Sequence, residues 1–304
     1  MLASKVVGKV PRNLREKIRK FLAKQPHLPY VGPFSLWIVL FVIAPLGVIL
    51  YFSFLTTGAY GGEIFPIFTL EHYLRLWRGA YGIILLRTLL FAFGTNIVCL
   101  LIGYPMAYCI ARRGGRWKAT LLFLVIIPSW TSWLIRLYAL RTIAGFAGII
   151  NSTLLSLGLI SSPLGILFNP YAVMFGLVYA FLPFMVLPIY ASLVGLDPSL
   201  LEASVDLGAT PFRRFLTVTL PLTKGGIFAG TILVFIPALG SWLVPLLLGG
   251  AKVMMAGNLV HLQYMTVGNI PMGSSIAVVL VAVVLLIMYL SIKLGGEDAL
   301  ERIL

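Results

Sequence analysis

Residues 197–221, DPSLLEASVDLGATPFRRFLTVTLP, form a polar interruption between two long apolar runs of the chain. Asp197 followed by a proline is a typical helix start, and Gly208 is the residue type that ends many helices in a left-handed conformation. Thr210 followed by a proline repeats the start signal, and Pro221 is predicted to close the second helix. The pattern therefore predicts two short helices joined by a glycine turn, lying across one face of the protein.

The surface of this stretch mixes apolar and charged side chains. Glu202 and Asp206 are four residues apart and therefore share a helix face. A rigid projection with an apolar ridge and a charged edge can sit in a cleft of a cytoplasmic motor and move with it. An ordinary loop between helices has a similar composition, so composition leaves both interpretations open. The apolar residues are Leu200, Leu201, Val205, Phe212 and Phe215, and the remaining charged ones are Arg213 and Arg214.

The composition of the whole chain predicts an integral membrane protein. Of its 304 residues, 60% are hydrophobic and only 11% are charged, and the mean hydropathy is +1.02. These values are unlike those of soluble domains. Six apolar runs use most of the length, so we expect one membrane domain, residues 34–304, behind a basic N-terminal tail.

The tail, residues 1–33, carries eight Lys and Arg residues and one glutamate, which supply +7 of the net charge of +14. Because it adjoins an apolar run, this basic cluster favours contact with a membrane surface over a nucleic acid. Apolar residues at helical spacing are compatible with a short amphipathic helix on the cytoplasmic leaflet or with a disordered tail. These residues are Leu14, Ile18, Phe21 and Leu22.

Six apolar runs are each near the roughly 20 residues that a helix needs to cross the hydrocarbon core of a bilayer. Backbone groups in lipid must bond within their own segment, so all six are predicted to be helices and the fold class to be all-α. Prolines inside the runs predict kinks. The predicted spans are Phe34–Leu55, Arg87–Ala111, Ala119–Tyr138, Tyr171–Leu196, Gly225–Leu248 and Ser274–Leu294.

The distribution of cations predicts the orientation of these spans. With the N-terminus inside, 17 of the 23 Lys and Arg residues fall on the cytoplasmic side and 6 on the other, so both termini are predicted to be cytoplasmic,. The uncharged residues 142–170 are not counted as a seventh span, since that would place Arg213, Arg214 and Lys224 outside. An external helix on the membrane surface fits this stretch, and so does a plug or a docking surface.

Polar and aromatic residues near the outer ends of two spans are candidates for a substrate path, because polar groups in a membrane usually face a cavity. Arg136 is flanked by Trp130 and Trp133 and could gate or orient a solute, with snorkelling to the headgroups as the alternative,. In the fifth run, Ser241 and Trp242 lie among helix-breaking residues. A tryptophan face there could stack on an amine, worth about 2 kcal/mol when desolvated, or pack on lipid.

Several chemistries have no support in the sequence. No G-x-x-x-x-G-K-[ST] loop is present, so the chain is not expected to be an enzyme and ATP hydrolysis is expected on a partner,. His27, His72 and His261 are isolated from other metal ligands, so we expect no metal site. No nucleophile with a base and an orienting group is recognisable, and the hydroxyls of PSWTSW at residues 128–133 are expected to pack between helices,.

The spacing within residues 197–221 distinguishes between the two interpretations of that stretch. It matches the pattern E-A-A, three residues, G, nine residues, I, one residue, L-P, and so resembles the coupling loop of ABC importer permeases. Two positions depart from the pattern, because Ser204 stands where a second alanine is usual and Val218 where isoleucine is usual. The resemblance implies that this stretch couples to an ATPase through Glu202, Ala203, Ser204, Asp206, Gly208, Arg213, Leu220 and Pro221.

Segments between about residues 33 and 295 resemble, in order and spacing, the first permease of spermidine/putrescine-type ABC importers. Among them are LLIGYPMAYCIARR at 100–113, LFLVIIPSWTSWLIRLYAL at 122–140 and FIPALGSWLVPLLLGGAK at 235–252. The resemblance implies a six-helix type I importer permease in the inner membrane, paired with a second permease. It further implies two cytoplasmic ATPases that bind ATP and Mg²⁺, and an external solute-binding protein.

The solute implied by this resemblance is a polyamine or a related amine, amino-acid-like or opine-like compound. None of the nine acidic residues falls inside a predicted span, although members of the resembled branch often have an acid near residues 241–247. Either the second permease supplies the acid or the solute is another small amine. A self-sufficient secondary transporter or channel is the alternative of another class, and a membrane scaffold is a third. The secondary transporter would need repeats and intramembrane acids that the sequence does not display.

Overall fold

The computed structural model describes residues 28–58 and 62–295. The predicted amphipathic helix of the basic tail lies outside the described residues. The chain divides into two units, Met1–Phe52 and Ser53–Leu304, which are treated separately below. Residue 33, the predicted boundary between tail and membrane domain, lies inside the first helix.

The described part of the first unit, residues 28–52, is one helical stretch. Helix α1 (Leu28–Ile38) continues through a π-helical turn (Val39–Ile43) into α2 (Ala44–Phe52). Its apolar side chains, such as Phe34, are largely exposed. The stretch Val31–Phe52 is long and apolar enough to cross a membrane, as predicted for the first span.

The second unit begins with a β-hairpin, which departs from the all-α prediction. Strand β1 (Leu55–Thr57) pairs antiparallel with β2 (Ile64–Phe68), and Thr56 Oγ1 donates to the Ile67 carbonyl at 2.9 Å. Threonine, isoleucine and phenylalanine suit a pleated backbone, which is why the chain leaves the helix where the first predicted span still continued. Helix α3 (Glu71–Leu76) follows the hairpin.

Helix α3 is tied to the hairpin by buried polar contacts. The Nε2 atom of His72 lies 3.0 Å from the Leu55 carbonyl, so the neutral ring donates this hydrogen bond from Nε2. The hydroxyl of Tyr73 donates to Ser53 Oγ at 2.7 Å. Burial is the main cause that lowers the pKa of His72 from its ordinary value. The hairpin and α3 thus pack together as one small folded element.

The remaining helices build the body of the second unit. The core lies among α4, α8 and α12, which pack directly on one another. The helices are α4 (Ala80–Arg113), α5 (Lys118–Ile126), α6 (Trp133–Ala144), α7 (Ile149–Ser156), α8 (Pro170–Val194), α9 (Pro198–Asp206), α10 (Pro211–Arg214), α11 (Leu220–Leu222), α12 (Lys224–Leu239), α13 (Ala256–Leu262) and α14 (Ile270–Gly295), with π-helical turns at Phe215–Thr219, Pro245–Gly249 and Gln263–Val267.

Contacts at glycines give the direction of the core helices. Gly94 of α4 faces Met174, and Gly103 faces Met185, so α4 and α8 run in the same direction. Gly226, at the start of α12, meets the end of α8, so α12 runs back. Small residues at such crossings let helices approach closely within a membrane. The ends of α4 and α8 and the start of α12 therefore meet at one end of the unit.

Among the described residues, five helical stretches are long and apolar enough to cross a membrane, and a bent pair makes a sixth when its two parts are counted together. The bend within that pair is 64°. Predicted spans two, four and six correspond to long helices. The stretches are Val31–Phe52, Ala80–Arg113, Trp133–Ser156, Pro170–Val194 and Ile270–Ser291, and the bent pair is Pro211–Leu222 with Lys224–Leu239.

The third predicted span is wrong as a single helix. Helix α5 ends in a 3₁₀ turn at Ile127–Trp130, Thr131 is extended, and α6 begins two residues later. Pro128 lies in this turn and has no backbone N–H to continue the helical ladder, which accounts for the break. Helix α5 packs on α4 and α8, whereas α6 contacts the Pro245–Gly249 turn, so the two helices on either side of the break have different packing partners.

The fifth predicted span is also interrupted. Helix α12 ends at Leu239, three residues (Gly240, Ser241 and Trp242) separate it from the next helical residues, and Pro245 begins the π-helical turn. Glycine and proline both disfavour a continuous helix here. Pro221 likewise does not close its helix as predicted, because it lies inside α11 and the chain bends one residue after that helix ends.

The uncharged residues 142–170 contain the predicted helix, α7. The buried side chain of Asn151 holds this region together, because its amide donates to the carbonyls of Gly145 at 2.9 Å and Leu164 at 3.1 Å. Its oxygen accepts from the Leu164 N–H at 2.8 Å. One amide side chain thus closes the loop between α6 and α8. The position of α7 on a membrane surface stays a prediction.

Candidate functional site

Residues 197–222 form a capped pair of short helices, hereafter the 197–222 segment. Asp197 Oδ1 accepts from the Ser199 N–H at 2.9 Å and caps α9. Hydrogen bonds from the Ser199 backbone and side chain lower the pKa of the Asp197 carboxyl. Thr210 Oγ1 accepts from the Arg213 N–H at 3.3 Å and caps α10. Both predicted helix starts are confirmed.

Gly208 forms the turn between the two helices, as predicted. Its φ is +75°, a conformation that costs glycine little because it has no Cβ,. The Gly208 N–H donates to the Val205 carbonyl at 2.8 Å, and the Ala209 N–H donates to the Ser204 carbonyl at 3.0 Å. These two bonds are the Schellman pattern, which satisfies the last carbonyls of α9 and fixes the turn.

The inner side of the segment is anchored to α4. The ring of Phe215 meets Tyr104 and Tyr108 edge-on, with centroids 5.5 and 6.1 Å apart. Thr223 Oγ1 donates to the Thr219 carbonyl at 2.8 Å, so the Tyr104 hydroxyl donates to Thr223 Oγ1, 2.9 Å away. Both Tyr104 and Thr223 are buried. The segment is therefore connected to α4 and to the start of α12.

The outer side of the segment is apolar and exposed. Leu207 is 88% exposed and Phe212 72% exposed. Ser204 is buried, and its hydroxyl donates to the Leu201 carbonyl at 2.7 Å, so this residue faces the protein. Within the described part of the chain, the exposed carboxylates of Glu202 and Asp206 have no ion-pair partner. Of the predicted coupling residues, those that are exposed are Glu202, Ala203, Asp206, Gly208, Arg213 and Pro221, whereas Leu220 is half-buried.

A cavity of about 550 Å³, hereafter the Arg136 cavity, lies where the break between α5 and α6 meets the break after α12. Helix α8 closes a third side. Irregular backbone at membrane depth is tolerated where it lines a cavity, and both helix breaks do so here. The cavity brings together four predicted path residues, which are Trp133, Arg136, Ser241 and Trp242, and also Ser129, Thr131, Ala180, Phe181, Phe184, Pro237 and Gly240.

The prediction that Trp130 shares this path is not supported by its position. Trp130 does not line the Arg136 cavity, is 73% exposed, and packs edge-on against Phe123 with ring centroids 5.4 Å apart. The 3₁₀ turn and the extended Thr131 separate it from Trp133, so the two indoles do not share one helix face.

The Arg136 cavity is lined by hydrogen-bond donors that lack partners. Arg136 Nε and Nη1, Trp133 Nε1 and the hydroxyls of Ser129 and Ser241 are buried without a hydrogen-bond partner in the described structure. The Arg136 guanidinium carbon lies 5.8 Å from the centre of the Tyr179 ring, a weak cation–π contact,. No Asp or Glu is among the lining residues. The cavity of this chain is consequently electropositive.

Trp242 is held in place from outside the cavity. Its ring stacks on His261 with centroids 4.5 Å apart and planes 7° from parallel, and Asn258 Nδ2 donates to its carbonyl. This support could not be predicted from the sequence, because α13 follows Trp242 only after a break. Ser129 also lines the cavity, although the hydroxyls of residues 128–133 were expected only to pack between helices. The nearby Pro128 and Pro237 are the sequence feature that could have indicated these cavity residues, since prolines mark interrupted helices.

Residues 100–294 match the family model of the binding-protein-dependent transport system inner membrane component. The chain belongs to this family. Spermidine/putrescine transport system permease protein PotB of Haemophilus influenzae is 42% identical over 261 residues, covering 85% of this chain and 91% of that protein. Inner membrane ABC transporter permease protein YdcU of Escherichia coli is 34% identical, covering 90% of this chain and 93% of that protein.

Solved structures of ABC transporters share the fold of this family member. A bacterial alginate ABC transporter in complex with an alginate pentasaccharide-bound periplasmic protein matches with a TM-score of 0.68 and 16% identity, over 95% of this chain and 99% of that chain. The MetNI methionine ABC transporter matches with a TM-score of 0.54 and 20% identity, over 75% of this chain and 97% of that chain. The predicted type I importer permease fold and multi-pass inner-membrane location are confirmed.

Proposed function

We propose that this permease imports a polyamine such as spermidine or putrescine, or a related amine, by coupling its movements to ATP hydrolysis on partner subunits. The observation that carries the proposal is the 197–222 segment, whose outer side is apolar and exposed while its inner side is anchored to α4. Exposed Leu207 and Phe212 are suited to a cleft on an ATPase, because large apolar side chains form the anchors of protein interfaces,.

The same segment offers a path from the ATPase to the Arg136 cavity. A displacement of Phe212 reaches α4 through Phe215, and it reaches α12 through the Tyr104 and Thr223 hydroxyls. Helix α12 ends directly before Gly240, which lines the cavity. Packed helices move as rigid elements, so a pull at one end of α12 changes the cavity at the other.

The partners follow from this mechanism. A second permease completes the membrane part, and two cytoplasmic ATPases bind ATP and Mg²⁺ and hydrolyse the nucleotide. An external binding protein delivers the solute. The cation distribution supports cytoplasmic chain termini, since Arg213, Arg214 and Lys224 then lie on the cytoplasmic side with the segment.

The solute class rests on the PotB proteins, whose names state spermidine and putrescine, and on the aromatic lining of the cavity. Trp133, Phe181 and Phe184 line the cavity, and aromatic rings attract ammonium groups,. Because no acid of the described part of this chain lines the cavity, the second permease is expected to contribute the carboxylates that a polycation needs.

The test is uptake of radiolabelled spermidine and putrescine by proteoliposomes that contain the complete transporter. We expect ATP-dependent uptake, and we expect Glu202→Ala to lower uptake per ATP hydrolysed without unfolding, because Glu202 makes no internal ion pair. Gly208→Arg should lower uptake per ATP hydrolysed more severely, because residue 208 has a φ of +75°, which strains any residue with a Cβ,. Glu63→Ala, an exposed acid at the other end of the second unit, is the control for subunit association and ATPase rate. Normal coupling in both segment variants would contradict the proposal, and uptake without the ATPases would favour a secondary transporter.

A further inference from the structure

The Arg136 cavity gathers more unpartnered polar atoms than any other place in the described structure. Of the seven described residues whose buried polar atoms lack partners, Ser129, Trp133, Arg136 and Ser241 line this one cavity. The other three residues, His72, Asn96 and Arg112, do not line it. Buried polar groups are normally satisfied, so a cluster of this kind indicates a missing binding partner.

The chemistry of the missing partner follows from these atoms. Arginine and the tryptophan indole can only donate hydrogen bonds, and the two serine hydroxyls can donate as well. The partner must therefore supply several acceptor oxygens. It should also carry negative charge, because the cationic Arg136 has two guanidinium nitrogens buried without a partner and no acid among the described residues lines the cavity,.

We propose that the Arg136 cavity is a carboxylate-binding site. A carboxylate has a single charge to match the single arginine, and its two oxygens accept up to about four hydrogen bonds, enough for Arg136, Trp133 and one serine. The carboxylate comes from a side chain of the second permease or from the solute. The first source removes the positive charge that would repel a polyamine, and the second implies an amino-acid-like solute.

The solute source rests on the proposed transport function, whereas the side-chain source requires only the pairing of the two permeases. The two are separated by equilibrium binding of radiolabelled 4-aminobutyrate and putrescine to the purified complete transporter. These probes have the same carbon chain length and differ in one end group, a carboxylate or an amine.

The variants are Arg136→Gln and Arg136→Lys, with Arg141→Gln as control, because Arg141 is an exposed arginine on the same helix. If the solute provides the carboxylate, 4-aminobutyrate binds and Arg136→Gln weakens binding about tenfold or more, the usual effect of losing a charged hydrogen bond. If the second permease provides it, 4-aminobutyrate does not bind, and Arg136→Gln lowers recovery of the permease pair while Arg136→Lys restores it. Arg141→Gln should change neither the binding of 4-aminobutyrate nor the recovery of the permease pair.

The proposal is overturned if Arg136→Gln behaves like Arg141→Gln in both measurements. A structure of the wild-type complete transporter decides the matter if Arg136→Gln does not fold. We expect a carboxylate oxygen within hydrogen-bond distance of Arg136 Nε or Nη1, and contacts only to water, backbone carbonyls or a lipid phosphate would overturn the proposal. Failure of spermidine uptake by the wild-type transporter would contradict the proposed function alone, since the structural measurement does not depend on transport.

Discussion

Two phenylalanines of the 197–222 segment, three residues apart, allow its anchoring and its docking to be tested separately. Phe215 packs between Tyr104 and Tyr108, whereas Phe212 is 72% exposed. Truncation of Phe215 should therefore act on the stability of the permease. Truncation of Phe212 should act on binding of the ATPase.

The expected magnitudes follow from these environments. Edge-on aromatic pairs contribute about 0.5–1.5 kcal/mol each beyond the burial of area, and a fully buried phenylalanine costs about 3–5 kcal/mol to truncate. For half-buried Phe215 we expect Phe215→Ala to lower the free energy of unfolding by about 2 kcal/mol. Phe212→Ala should change it by less than about 0.5 kcal/mol, as exposed positions usually do. As an interface anchor, Phe212 should contribute about 2 kcal/mol to ATPase binding, or about 30-fold in Kd.

The assay combines thermal unfolding of the purified permease pair with titration of the ATPase. Phe215→Ala should lower Tm clearly, and Phe212→Ala should leave Tm unchanged while it weakens ATPase binding. The reasoning would be refuted if both variants lowered Tm equally. It would also be refuted if Phe212→Ala bound the ATPase with wild-type affinity.

Three further predictions concern the packing that supports the site. Tyr104→Phe removes the hydroxyl bonded to Thr223 and should cost about 1 kcal/mol of stability; in a double-mutant cycle with Thr223→Val, strictly additive losses would argue against the bond,. Gly226→Ala places a Cβ 2.6 Å from a backbone carbonyl oxygen of α8, so it should lower Tm, whereas Gly195→Ala, whose nearest atom is 3.4 Å away, should not. Burial lowers the pKa of His72, so below about pH 6.5 the unfolded chain binds a proton more readily than the folded chain does. The free energy of unfolding therefore decreases as the pH is lowered,. Hydrogen exchange of the β1–β2 amides should accelerate on acidification, and exchange independent of pH, after correction for its intrinsic rate, would contradict this role.

The ends of the short helices could be predicted because they depend on neighbouring residues. Asp197 and Thr210 cap helices with side chains that reach only two or three residues along the chain. Gly208 adopts its turn for the same local reason. The long apolar runs likewise identify α4, α8 and α14 without any knowledge of their contacts, because span length is set by the bilayer.

The continuity of spans three and five was predicted wrongly, because hydropathy does not register a break inside an apolar run. Pro128 and Gly240 interrupt their helices while the surrounding residues stay apolar. The β-hairpin was missed for a related reason, since its apolar residues extend the first run past Phe52.

By itself, the sequence determined a membrane-embedded helical protein and the capped 197–222 segment with its mixture of apolar and charged residues. Only the tertiary structure decided that Phe215 is an anchor and Phe212 is exposed, although both are phenylalanines on one short segment. It also decided that Ser129 and Ser241, far apart in the chain, share a cavity with Arg136. Caps and spans arise from local bonding and from the bilayer, whereas burial and the meeting of two helix breaks depend on how α6, α8 and α12 pack.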